Sequence, residues 1–185
     1  MRVLAEVFEL IYPRRETLGG RILLNSQPAW EMLLRMYERG HPDSSFLDYF
    51  WSWRALLGGL FSVLLSDIPA ARAYHTVSTG YAGILAARAV LETGRPGIVT
   101  EHGIYTNERR IEIAMADWLF EDDRVDLNVD RSKRDLKDLW MDTFSSYSRC
   151  CYQASGDIIT LYEGNQNLQI DDGAAWPAER GDGHG

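Results

Sequence analysis

Three β-like segments of the chain end in polar side chains able to hydrogen-bond a ligand or carry a proton. His75 and Thr76 close "ARAYHTV", Glu101, His102 and Gly103 lie in "TEHG", and Glu163, Gly164 and Asn165 follow "DIITLY". The imidazole of His102 comes directly after an apolar run and directly before a glycine. It can donate or accept a hydrogen bond near neutral pH, and Gly103 allows the backbone to turn away sharply. The plain alternative is a loop-anchoring donor, and His75 carries the same two readings. In "STGYAG", Ser78, Thr79 and Gly80 offer hydroxyls and helix-start N–H groups to a phosphate or a sugar hydroxyl, unless Ser78 or Thr79 simply caps the helix. His75, His102 and Glu101 or Glu163 could be arranged around a metal. Two scattered histidines without a tight motif do not specify such a centre, and none is expected. Arg109 and Arg110 in "NERRIE" either grip an anion or line a solvated helix face. There is no G-x-G-x-x-G, P-loop or G-x-S-x-G, which removes the simplest dinucleotide, NTPase and serine-hydrolase readings.

These groups matter only if a sheet brings the tips together. Residues 71–77 read as a strand, 80–93 as an alanine-rich helix apolar on most sides, and "GIVTE" (97–101) as a second strand after Gly94 and Pro96. Strand, helix, strand implies a parallel pair and hence an α/β sheet. A helix over 107–120 follows, with Ile111, Ala114, Trp118 and Leu119 on one side. After the acidic stretch 121–135, another helix repeats Leu136, Leu139, Trp140, Phe144, Tyr147 and Cys151 at helical spacing. Gly156 then leads into a third strand. Ligands of open parallel sheets sit beyond the carboxyl ends of the strands, which is where the polar tips fall.

The first third reads as helical. Asn25 or Ser26 caps a helix with Pro28 in its first turn and Gly40 just past its end, with Trp30, Leu33, Leu34 and Tyr37 facing a core. Ser45 and Asp48 form a capping box for the next helix. The aromatic cluster near Trp51 reads as core, and Gly58 and Gly59 bend or split the helix or allow close packing.

At 185 residues, the chain has room for one domain with a substantial core, taken as 1–175, with a disordered tail at 176–185. The net charge of −8 disfavours nucleic acid and anionic membranes as partners. Two adjacent cysteines, Cys150 and Cys151, cannot staple distant segments, which suits a reducing cytoplasm. The apolar run "ALLGGLFSVLL" is shorter than the roughly 18 residues of a membrane span, and "MRVLAEVFELIY" does not read as a secretory signal.

Two long stretches carry a family resemblance. They are "HTVSTGYAGILAARAVLETGRPGIVTEHGIYTNERRIEIAMADWL" and "CCYQASGDIITLYEGNQNLQIDDGA". With "FELIYPRR", "GGRILLNS" and "FLDYFWSWRALLGG", they resemble the N-terminal domain of PelF-type glycosyltransferases of Pel exopolysaccharide synthesis, from about residue 3 to residue 174. The resemblance implies a retaining GT-B enzyme, cytoplasmic and peripheral to an inner-membrane Pel complex through protein partners. Its fold would be the N-terminal half of a GT-B pair: a partial Rossmann-like parallel sheet flanked by helices. It also implies a UDP-sugar donor, with UDP-glucose expected, a polysaccharide acceptor and no cofactor. His102 matches a histidine that lies near the transferred sugar in related retaining enzymes. Glu101, Gly103, His75, Ser78, Thr79, Gly80 and Glu163 are the accompanying substrate-binding candidates. Two features depart from the family pattern. The opening strand and glycine-rich loop are lacking, and no two glutamates stand eight positions apart. The expectation is therefore an acceptor-side domain, inactive without a C-terminal donor-binding domain. The alternative is a non-catalytic module docking on a partner of the synthesis complex.

Overall fold

In the computed structural model, residues 2–103, 105–115 and 136–171 are described. The expectations for 116–135, with Trp118 and Leu119, and for the tail 176–185 fall outside them. The element order is α1 (Arg2–Ile11), a short 3-10 turn (Tyr12–Arg14), α2 (Gly20–Asn25), α3 (Gln27–Gly40) and α4 (Phe46–Leu65). Then follow β1 (Tyr74–Thr76), α5 (Tyr81–Thr93), β2 (Gly97–Glu101), α6 (Tyr105–Met115), α7 (Leu136–Ala154), β3 (Asp157–Thr160) and α8 (Glu163–Asp171). This is the expected α/β class: a small parallel sheet flanked by helices.

The chain divides into two compact units. One comprises Met1–Glu6, Ile68–Thr106 and Ser145–Gly185, and the other Val7–Asp67 and Asn107–Phe144. The first holds the sheet, in the order β1-β2-β3 with both pairs parallel. In β2 buried and half-buried residues alternate. Gly97, Val99 and Glu101 are enclosed, while Ile98 and Thr100 point to the opposite, more open face beside His75 and Ile159. Val99 packs with Cys151, Tyr152 and Ile158. α5 ends as the sequence suggests: Gly94 takes the left-handed φ of 65° and its N–H returns to the Val90 carbonyl, a stop that glycine makes without strain.

The strands at the edges are shorter than their β-prone sequences. β1 covers 74–76 of the expected 71–77, because it pairs only with Gly97–Val99. β3 stops at Thr160, where its ladder with β2 ends.

The second unit is helical. Ala29, Leu33, Tyr49, Trp53 and Leu136 form its buried core. Ser26, not Asn25, caps α3, its side chain accepting from the Ala29 N–H at 3.3 Å. Gly40 is the last residue of α3 and not its stop, and the cap is His41. Ser45 caps α4 as expected, accepting from the Asp48 N–H at 3.4 Å. α4 runs unbroken through Gly58 and Gly59, so these glycines do not split it. A methyl group at Gly58 would lie 3.5 Å from Leu24 Cδ1, an ordinary contact. The expected inward faces are corrected at three places. Trp30, expected to face the core from α3, is 45% exposed. Trp51 is 59% exposed and Trp53, two positions on, is 3% exposed and takes the core place. In α6, Ile113 is buried, whereas Ile111 faces solvent.

Burial sets a pH limit on the sheet-bearing unit. The Cys151 thiol is pushed from its ordinary 9.0 to about 12, chiefly by burial and further by the Glu101 carboxylate, against a hydrogen bond from Ser155 that lowers it. Burial also raises the Tyr147 hydroxyl, with Tyr81 adding to the effect. Both groups hold their protons in the folded state and release them more readily when unfolded. The unfolded chain therefore binds fewer protons at high pH, and stability falls as pH rises. The thiol's share is complete below pH 9 and is lost progressively as the pH rises from 9 towards 12. Urea midpoints measured from pH 7 to 11 should break downward near 9, and Cys151→Ala should flatten that break.

Candidate functional site

The carboxyl end of β2 carries the chemistry. Its last residue, Glu101, is 1% exposed and sits on the covered face of the sheet. Glu101 Oε2 accepts from Tyr152 Oη of α7 at 2.5 Å and from Gln169 Nε2 of α8 at 2.7 Å. Its Oε1 accepts a longer bond, 3.4 Å, from Thr79 Oγ1 in the loop before α5. Ser148 Oγ donates to Thr79 Oγ1 at 2.8 Å, so the polar chain runs from α7 through that loop to the carboxylate. A buried carboxylate is tolerated when several donors converge on it. Here the donors come from α7, α8 and the loop before α5.

Immediately beyond this anchor the chain bends through His102 and Gly103. His102 is exposed. A strand that ends in an enclosed glutamate and continues into a solvent-facing histidine presents the imidazole at the carboxyl end of the sheet, which is the ligand-binding end of parallel architectures. Across the loop before α5, Gly80 is the cap residue of the helix and has no side-chain cap. A methyl group there would fall 2.7 Å from the outer edge of the Tyr105 ring, so a side chain at this position would have to displace that ring.

The remaining candidates lie in other settings. Glu101 and Thr79, expected as substrate contacts, are enclosed, and their oxygens are turned to each other and to α7 and α8. Gly80 is buried beneath Tyr105, and neither Ser78 nor Thr79 is the cap. Ser78 Oγ accepts a long bond, 3.5 Å, from the Gly80 N–H, and the Ser78 carbonyl accepts from Thr76 Oγ1 at 2.7 Å. His75 lies in the middle of β1 and not at its tip. Its Nε2 is 2.8 Å from Thr100 Oγ1 on the neighbouring strand, a cross-strand pair on the open face. Glu163 does not extend the β3 tip: it is exposed at the start of α8, three residues past the strand. Arg109 Nη1 pairs with Glu112 Oε2 at 2.6 Å. Among the described residues no group of three or more His, Cys, Asp or Glu side chains is placed to hold a metal ion. No described helix is long and apolar enough to cross a membrane.

Ser148, Tyr152 and Gln169 are not among the candidates the sequence suggests. Ser148 and Tyr152 are four residues apart, one turn along α7 on the stripe that includes Phe144, which is the one signal that could have paired them. Gln169 belongs to no apolar pattern.

With this geometry in place, the comparison with protein families is informative. A family model described as "Domain of unknown function (DUF3492)" matches residues 1–176. The chain belongs to the DUF3492 family. Nearly the whole length is covered, so both units of this DUF3492 chain, the parallel sheet and the helical one, belong to the matched domain. No curated protein and no solved structure matches it significantly.

Proposed function

We propose that the chain is the acceptor-side, Rossmann-like domain of a PelF-type retaining GT-B glycosyltransferase. The whole enzyme transfers a sugar from a UDP-sugar, UDP-glucose in this reading, to a growing exopolysaccharide. The observation that carries the reading is His102, an exposed imidazole one residue past the carboxyl end of the central parallel strand, on backbone anchored by a buried glutamate. Membership of a domain family found in glycosyltransferase-associated proteins supports it. The imidazole hydrogen-bonds a sugar hydroxyl and holds the ring in the orientation that transfer requires, a contribution made by positioning and not by covalent chemistry. Paired glutamates and the nucleotide site belong, in this reading, to a donor-binding domain. The enzyme works in the cytoplasm beside an inner-membrane Pel complex.

The isolated chain should release no UDP from UDP-glucose. It should bind short oligosaccharides detectably by saturation-transfer NMR, and His102→Ala should weaken that binding by at least ~10-fold, about 1.4 kcal/mol, without lowering the melting temperature. Turnover by the chain alone, or sugar binding indifferent to His102→Ala, counts against the reading.

A second reading is favoured by a different observation. In the helical unit Trp30, Leu47 and Trp51 are 45%, 62% and 59% exposed, large apolar side chains of the kind that a protein partner covers. In that case the chain is a non-catalytic module of the synthesis complex. A monomer that purifies from its native cells with no bound protein argues against it.

A further inference from the structure

α8 is a helix attached in an unusual manner. Its large apolar side chains Leu168 and Ile170 are exposed, and the single described residue of α8 that is fully buried is a polar one, Gln169. The Gln169 carbonyl oxygen is buried without a hydrogen-bond partner, while its amide donates to Glu101 Oε2 at 2.7 Å. The side chain that α8 encloses is thus held by a directional bond to a carboxylate, not by apolar contact alone. The same carboxylate takes the Tyr152 hydroxyl on that oxygen and the Thr79 hydroxyl on the other. One peptide bond further on stands His102.

We propose that Glu101 is a positioning residue: its carboxylate couples α8, through Gln169, to the direction in which the chain leaves β2 and hence to the placement of His102. This rests on the reading of His102 as the sugar-facing group for its purpose, but not for its geometry. Donors that converge on one buried carboxylate favour a single arrangement, because each bond is directional and strong in a low-dielectric interior. Apolar packing at Gln169 would tolerate a sliding helix, whereas a hydrogen bond to one carboxylate oxygen does not. Thr79 extends the coupling to the loop before α5, and Ser148 and Tyr152 tie it to α7. Whatever moves α8 therefore moves the rim of the site.

The test uses the 185-residue chain and backbone order parameters from 15N relaxation, which need no turnover and no ligand. In the parent chain, His102 and Gly103 should show rigid-backbone values near ~0.85 despite the exposure of His102. In Gln169→Leu, those at 102–103 and 79–80 should fall below ~0.6 while 84–89 in the middle of α5 and 29–37 in α3 stay rigid. Tyr152→Phe removes a second donor from the same oxygen with little change of volume. It should loosen 102–103 as well, which keeps the test decisive if Gln169→Leu does not fold. Mobile values at 102–103 in the parent chain would overturn the coupling. So would loosening confined to α8, or spread evenly over the unit. Loss of sugar binding in His102→Ala with an intact network, or the reverse, separates the fate of the functional reading from that of the latch.

Discussion

Glu101→Ala should remove on the order of 4 kcal/mol from the unfolding free energy, measured by urea denaturation followed by circular dichroism. The side chain is almost wholly enclosed and receives hydrogen bonds from Tyr152, Gln169 and Thr79. Truncation deletes the acceptor and leaves these donors facing one another across a cavity. Each buried donor without a partner costs ~1–3 kcal/mol, and these costs overlap because the groups share one site. Glu101→Gln is the informative contrast. It keeps volume and one carbonyl oxygen but must present an amide to at least one of the former donors, so its cost should be smaller, ~1–2 kcal/mol. A small domain has only about 5–15 kcal/mol of stability in all, so the alanine variant should have a clearly shifted midpoint. A loss below ~1 kcal/mol in Glu101→Ala would mean that water already serves these groups.

Gly83→Val is the second large effect. A β-carbon on Gly83 of α5 would stand 2.9 Å from Cys151 Cβ and 3.0 Å from its Sγ on α7, and 3.1 Å from the Ser78 carbonyl oxygen. A carbonyl oxygen and a helix-borne β-carbon cannot swing aside as the end of a long side chain can. Accommodation requires α5 and α7 to separate, which takes contacts away from Val99 and Cys151 in the small core under the sheet. Overpacking of this kind costs ~1–3 kcal/mol or more, well above the few tenths that valine gains over glycine in helix propensity. At the upper end the melting temperature should drop by roughly 6–12 °C. Gly83→Ala should lose less, since ~1 kcal/mol of propensity offsets part of the overlap. A valine variant melting with the parent chain would show that α5 and α7 do not touch there.

These residues illustrate what can be read from a chain and what cannot. "GIVTE" is a strand to the residue, because a short apolar run bounded by Gly94, Pro96 and a polar tip has few other solutions. The lengths of β1 and β3 are not local properties. Val77 and Tyr162 suit a strand, but no neighbouring ladder reaches them. In α4 the aromatics Phe50, Trp51 and Trp53 crowd together without a clear period, so the inward-facing tryptophan is decided by the packing of α3 and α7 around Trp53. The site divides in the same manner. His102 is conspicuous from its neighbours alone. The enclosure of Glu101 is not, since its partners stand 22, 51 and 68 positions away along the chain. A glutamate beside a histidine reads as a ligand contact until the folded chain supplies those partners.

The alternation along β2 makes the unit sensitive to parity. Gly97, Val99 and Glu101 project to one side and Ile98 and Thr100 to the other. Deleting or inserting a single residue within this strand would invert every side chain beyond the change. The carboxylate would be turned out into water, the hydroxyl of Thr100 would be driven against Tyr152, and His75 would lose its cross-strand contact. A change of length by one is an error that no neighbouring side chain can repair.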